Sequence, residues 1–424
     1  MPNPSTNAKQ NQQTHALREL LRIVVSGNAF YQPILRQAGL SEIDALTVED
    51  FIDRMPLTTK QQLVDDQQAY PPYGSNLSQP IEHYTRFCQT SGTTGKPLRV
   101  IDTADSWQSL LDVWRLVFEQ AGCKPGDRVL FAFSFGPFLG FWTAYEAGAQ
   151  MGLMCLPAGG MSSSARLAMI QDNAVTTVCC TPTYAMHLAQ VAAQEGIDLS
   201  KTSVERLIVA GEPGGSLTAV RERIESAWGA KLYDHHGMTE VGPVTYQDNA
   251  PGSPPGCLRI AADAFLVEVI DPQTTQHVEP GTEGELVLTT LKRTAWPLLR
   301  YRTGDLVKKD SEDPMRLVGG ILGRIDDMVL IRGVNVYPSA VDAVVRRFDE
   351  VTEYEVLLEQ AGAMRELSLR IEPSQACRDA KGLCSRVGEA LRDALSLRVK
   401  VEVAEPGTLP KFEMKAKRWR EVTS

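Results

Sequence analysis

The chain has 424 residues, room for two or three domains at roughly 100–200 residues each, so a single module is not expected. With 43% hydrophobic and 22% charged residues, 33 Gly and 25 Pro, its composition is that of an ordinary globular protein and excludes collagenous, disordered and coiled-coil readings. Forty-three Lys+Arg against 52 Asp+Glu give a net charge of -9, which disfavours a general polyanion-binding surface; no nucleic acid partner is expected.

In chain order, Met1 to Gln12 is polar, rich in Pro, Asn and Gln, and reads as a loose tail with none of the features of a signal peptide. Two long stretches lack charged residues, Val129 to Tyr145 and Asn173 to Gln194. Gly136, Pro137 and Gly140 interrupt the first and a series of threonines the second, so no membrane span is expected. Eight cysteines without any CxxC pair fit reduced, buried thiols in a cytoplasmic protein.

Short apolar runs at 128–133, 153–157, 175–180 and 204–210 alternate with helical patterns at 141–152, 163–173 and 184–195, predicting an α/β core built on a parallel sheet. After Pro243 the pattern changes to short strands (264–270, 284–290) joined by Gly/Pro turns, an antiparallel subdomain. A last shift near Gly319-Gly320 leads into strand 328–331, helix 339–348, strand 367–371, helix 382–395 and strand 399–403, a small α+β unit. The domain boundary is placed between Gly320 and Asp326, giving 1–322 and 323–424.

Five segments carry chemistry. In Gln89-Thr-Ser-Gly-Thr-Thr-Gly-Lys-Pro97, small residues permit a tight bend around an anion while hydroxyls and Lys96 supply donors and charge. It reads as a polyphosphate cradle or an exposed hairpin, and its spacing is not that of a GxxxxGK[ST] loop. In Tyr233-Asp-His-His-Gly-Met-Thr-Glu240, Glu240 suits a hard cation, Thr239 a phosphate and His236 a stacked base. Asp234, His235 and His236 are a weak metal cluster, because neighbours on a strand point to opposite faces. Asp305 in Tyr301-Arg-Thr-Gly-Asp-Leu306 can accept both hydroxyls of a ribose or cap its own turn. Gly323 to Pro338 suits a hinge that touches a ligand, and Gly407 to Arg418 is a basic loop.

Taken in order, TSGTTGKP, AGEPGG, HHGMTE, YRTGDL, GRIDDMVLIRGVNVYPS and LPKFEMKAKR resemble the motifs of the adenylate-forming superfamily, in particular its phenylacetate-CoA ligase-like branch, across Thr90 to Arg418. The resemblance implies a large adenylation domain with a small mobile C-terminal domain, and ligation of a carboxylic acid, as a rule aromatic, to coenzyme A through an acyl adenylate made from ATP. It implies that Thr90, Ser91, Gly92, Thr93, Thr94, Gly95 and Lys96 cradle phosphates, that Thr239 touches the α-phosphate and that Glu240 holds magnesium. Gly211, Glu212 and Pro213 would line the adenine, with Asp234, His235, His236, Gly237 and Met238 nearby; Asp305 and Arg324 would hold the ribose. Lys415 would bridge carboxylate and phosphate during adenylation. Asp326 would be the hinge, and Gly333 would follow it toward the CoA thiol. Phe135, Gly136 and Pro137 would border the acid. Many members of this branch carry a Cys-x-Cys-Gly-Arg zinc stretch where this chain has Leu317 to Arg324, so no structural zinc is expected. His236 stands where many have Tyr, which adds a titratable ring. An acyl carrier protein or an amine is the alternative acceptor, and a homodimer is left open.

Overall fold

A computed structural model of the chain describes residues 4–90, 96–133, 135–332, 334–361, 364–410 and 418–422; the side chains of 4–10, 360, 361 and 364 lie outside that description. Four helices come first: α1 (Pro4–Gly27), α2 (Tyr31–Gln37), α3 (Val48–Arg54) and α4 (Lys60–Ala69). The polar start expected to be a loose tail is therefore helical from Pro4. Leu17, Leu20, Leu21 and Val24 are buried at helical spacing, and this anchored stripe lets the helix extend through the polar turns before it, since propagation costs far less than nucleation. Thr47 with Asp50 and Thr59 with Gln62 form capping boxes that start α3 and α4.

A hairpin, β1 (Tyr84–Gln89) and β2 (Arg99–Thr103), leads into the long helix α5 (Ala104–Gln120). Then follow β3 (Arg128–Phe131), α6 (Leu139–Gln150), β4 (Met154–Pro157), α7 (Ser163–Asp172), β5 (Thr177–Cys180), α8 (Pro182–Gln194), β6 (Arg206–Val209), α9 (Thr218–Trp228) and β7 (Lys231–Asp234). The five strands pair in parallel in the order β4-β3-β5-β6-β7, as their apolar runs require. Side chains alternate between two layers: Leu207, Val209 and Leu232 pack on α7, α8 and α9, whereas Phe131, Cys179 and Ile208 pack on α5 and α6.

The chain next makes β8 (Gly237–Met238), β9 (Gly242–Pro243), β10 (Thr245–Gln247), β11 (Leu258–Ile260), β12 (Phe265–Ile270), β13 (Glu283–Thr290), β14 (Tyr301–Lys309) and β15 (Arg316–Arg324). β10 to β15 form an antiparallel sheet in the order β10-β11-β15-β14-β13-β12. Gly319 and Gly320, near which the sequence pattern shifts, lie inside β15, and the strand keeps its ladder with β14 through Arg324. The remaining elements are β16 (Val329–Ile331), β17 (Val334–Val336), α10 (Pro338–Val345), β18 (Val351–Ala361), β19 (Met364–Pro373), α11 (Ala380–Leu395), β20 (Lys400–Val403) and β21 (Trp419–Val422). They have their own sheet, β20-β19-β18-β21, and their own core around Val344, Tyr354, Leu369 and Val387. Arg223 of α9 donates to the Val351 carbonyl at 3.4 Å, tying this unit to the parallel-sheet layer.

Candidate active site

Parallel sheets place ligands at the carboxyl ends of their strands, and Gly211 to Pro213 and Asp234 to His236 stand at the ends of β6 and β7. After β6 the backbone passes Gly211 and Pro213 to Gly215, where an added Cβ would stand 2.5 Å from the Asp234 carboxyl carbon. Only glycine admits that approach. Ser216 donates to Asp234 at 2.5 Å, and the Asp234 amide donates to Gln247, which also accepts from Arg221 at 2.6 Å. Burial pushes the Asp234 carboxyl up to about 6. Asp234 is thus a strut that fixes the 211–215 loop to the end of β7. Glu212 accepts from the Thr183 amide at 2.7 Å, which holds the other side of that loop.

The next two residues part company. His236 turns toward the antiparallel sheet: its amide donates to Thr245 Oγ1 at 2.8 Å, and its Nε2 lies 3.0 Å from Asp305 Oδ2. Asp305 sits opposite Arg324 across β14 and β15 and accepts from Arg324 Nη1 at 2.9 Å. Arg324 also forms a two-point contact with Asp326, at 3.0 and 3.1 Å. Burial alone would raise the Asp305 carboxyl, but His236 and Arg324 outweigh it and hold it below the ordinary carboxylate value. Gly304, at φ +75°, gives the turn that brings Asp305 under Arg324. His235 instead buries its ring edge-on against Trp114, centroids 4.3 Å apart, and burial pushes its imidazole down to about 3.

Thr239 is half-buried and follows the short strand β8, which contains Gly237 and Met238. Glu240 is buried, and Lys60 Nζ lies 3.0 Å from its Oε1. Lys60 occupies the first turn of α4, an electrostatically adverse place for a cation that the Glu240 charge offsets. The backbone carbonyls of Thr239 and Glu240 accept from Arg293 at 3.2 and 2.8 Å. Arg293 is itself clamped by Asp102, at 2.8 and 2.5 Å, with both side chains about 1% exposed. A buried pair so complete props the Thr239-Glu240 turn from below.

Thr90 closes the base of the phosphate-loop candidate, its hydroxyl accepting from the Leu98 amide at 3.0 Å and its amide donating to the Leu98 carbonyl. Lys96 is exposed at the far base. Ser91, Gly92, Thr93, Thr94, Gly95, Gly333 and Lys415 lie outside the described residues. Phe135 is half-buried, packing edge-on against Trp142 and Tyr145, while Gly136 lies under the Phe138 ring and Pro137 is exposed with its carbonyl accepting from the Gln89 amide. Among the described residues no group of three or more His, Cys, Asp or Glu is arranged to hold a metal, and no helix is long and apolar enough to cross a membrane. Lys60, Asp102, Arg293 and Trp114 were not singled out from sequence. The Thr59-x-x-Gln62 box could have placed Lys60 at a helix start; the others carry no local signal.

Strand ends, the Asp305-Arg324 pair and the Glu240 turn make up the candidate site. The chain belongs to the AMP-binding enzyme family: residues 14–291 match that family and 333–421 match its C-terminal domain. It falls on the phenylacetate-CoA ligase-like branch, as expected. It is 31% identical to phenylacetate-coenzyme A ligase of Thermus thermophilus, over 95% of this chain and 93% of that protein, and 28% identical to the Escherichia coli protein of the same name over 97% and 94%. Its fold is similar to that of 2-hydroxyisobutyryl-CoA ligase in the postadenylation state with 2-HIB-AMP, at 29% identity and a TM-score of 0.88 over 96% of this chain and 88% of that one. Against the same ligase in its thioesterification state the score is 0.71, over 99% and 90% of the two chains.

Proposed function

We propose that the chain is an AMP-forming acid-CoA ligase that activates an aromatic carboxylic acid. The observation that carries this reading is the chain of contacts from His236 through Asp305 to Arg324 and on to Asp326 at the start of the C-terminal unit, with Glu240 beside the same Tyr301 that Asp305 and Arg324 adjoin. A carboxylate resists attack because a nucleophile adds charge to an anion. Displacing pyrophosphate from ATP with the carboxylate oxygen forms an acyl adenylate, in which that charge is gone and AMP is a good leaving group; the CoA thiol then displaces AMP to give the thioester. The protein supplies alignment and local positive charge.

In this reading the Thr90 to Lys96 loop cradles the outer phosphates, Asp305 and Arg324 hold the ribose, and Gly211, Glu212 and Pro213 border the adenine. Magnesium fits the site as a cation arriving with ATP. Glu240 belongs to no group of three or more His, Cys, Asp or Glu among the described residues, so phosphate oxygens and water would supply the cation's remaining ligands. Lys60 would give up its contact with Glu240 as the cation enters. The aromatic cluster of Phe133, Phe135, Phe141 and Tyr145 supports an aryl tail, and the relatives named for phenylacetate support it further.

The test is pyrophosphate release over a panel of carboxylic acids with and without CoA. Release with aryl acids and CoA-dependent thioester is expected. No release with any acid would overturn the reading, and release without thioester would move the acceptor to a carrier protein or an amine.

A further inference from the structure

Burial and bonding disagree at His235. The residue is 5% exposed, yet neither ring nitrogen makes a well-formed hydrogen bond among the described residues, the His236 backbone being a weak polar neighbour. The same holds for the indole Nε1 of Trp114, 3% exposed, whose ring lies against the imidazole. Buried polar groups are nearly always bonded. A donor and an imidazole left open side by side mark a place where a polar atom of a ligand belongs.

Strand geometry says which way they face. Along β7, Leu232 and Asp234 turn to the α8 and α9 layer, so Tyr233 and His235 turn to the α5 and α6 layer, with Ile208, Phe131, Phe133 and Cys179. The His235 amide donates to the Val209 carbonyl at 3.1 Å, which keeps the residue at the carboxyl edge of the sheet. Helix α6 packs against β8 and β9, directly after the two histidines, and its Phe141 ring, with Phe135 from the loop before it, lies against this layer. His236 therefore faces the nucleotide side while His235, one residue earlier, faces the aromatic layer where the acid's tail lies.

We propose that the acid taken by this site carries a hydroxyl on its tail, and that His235 and the Trp114 indole N–H are the residues that select it. The proposal rests on the acid-ligase reading above. A hydroxyl matches both groups: it accepts from the indole N–H and donates to an imidazole nitrogen. A hydrocarbon tail leaves both unmet, and an aryl amine, a poor acceptor, leaves the indole unmet. A second carboxylate or an ammonium fits less well, because the residues packed in this layer around the two groups are mainly apolar and the Glu146 and Arg86 at its rim are paired with each other. Burial keeps the imidazole neutral at pH 7, so it retains one donor and one acceptor.

The experiment compares kcat/KM from pyrophosphate release for matched acids with and without a hydroxyl, in the full-length enzyme and in its His235→Leu and Trp114→Phe variants. The pairs are phenylacetate against its three ring-hydroxylated isomers, and isobutyrate against 2-hydroxyisobutyrate. In the parent enzyme at least one hydroxylated acid should exceed its partner by about tenfold or more, and that ratio should fall about tenfold in each variant, the scale of one unmet buried hydrogen bond. Thermal unfolding of His235→Leu should stay cooperative, since leucine has no polar atom to desolvate; should it fail to fold, Trp114→Phe carries the test. Preference for the unsubstituted acid in every pair, or ratios unmoved in the variants, would overturn the proposal and leave the ligase reading standing. No pyrophosphate with any acid would overturn both.

Discussion

At the scale of single residues, Asp234 has a measurable signature. Its folded value of about 6 lies above the ordinary 3.8, so between those two the folded protein keeps a proton that the unfolded chain releases. The group's contribution is therefore present at low pH and is lost as pH rises toward 6. Asparagine can still accept from Ser216 but does not titrate. The melting temperature of Asp234→Asn relative to the parent should climb between pH 4 and 6 and level off above; a difference flat across that range would contradict the burial argument. Asp234 and its neighbour Glu240 also show that burial alone does not decide a role. Asp234 is braced by Ser216 and steadies a loop, whereas Glu240 holds the Lys60 ammonium.

At the scale of elements, the decisive pairing is β14 with β15, which sets Asp305 opposite Arg324. Gly304 makes it possible. An alanine there would keep φ at +75° with its Cβ 3.0 Å from Arg324 Nη2. The arginine end can shift, but the left-handed backbone costs an L-residue about 1–2 kcal/mol. Gly304→Ala should lose about that much in denaturant unfolding and raise the KM for ATP several-fold; an unaltered KM would separate the turn from the nucleotide. The parallel strands were legible because strands buried on both faces are continuous apolar runs. β14 and β15 were not, since Arg302, Asp305, Lys308 and Lys309 in one and the Gly319-Gly320 pair in the other break the alternation by which exposed strands are read. The N-terminal helix was misread for the converse reason: its first turns carry no apolar stripe of their own.

At the scale of the whole molecule, a chain of net charge -9 that handles ATP and CoA must concentrate positive charge locally. Arg324 and Arg332 already face Asp305, Asp326 and Glu366, so their charge reaches a ligand only as those pairs rearrange. Lys415→Ala should abolish adenylate formation while sparing thioester formation from pre-made acyl adenylate; equal loss of both half-reactions would contradict a two-position cycle. The order of the motifs, the parallel core and the opposite facing of Asp234 and His235 were all decided by sequence alone, because each rests on spacing within a few residues. Which groups meet Glu240 and its turn was decided only by tertiary structure. Arg293 and Asp102 stand 191 positions apart, and Lys60 arrives from another helix; such contacts depend on how packed layers align, and no local period encodes that.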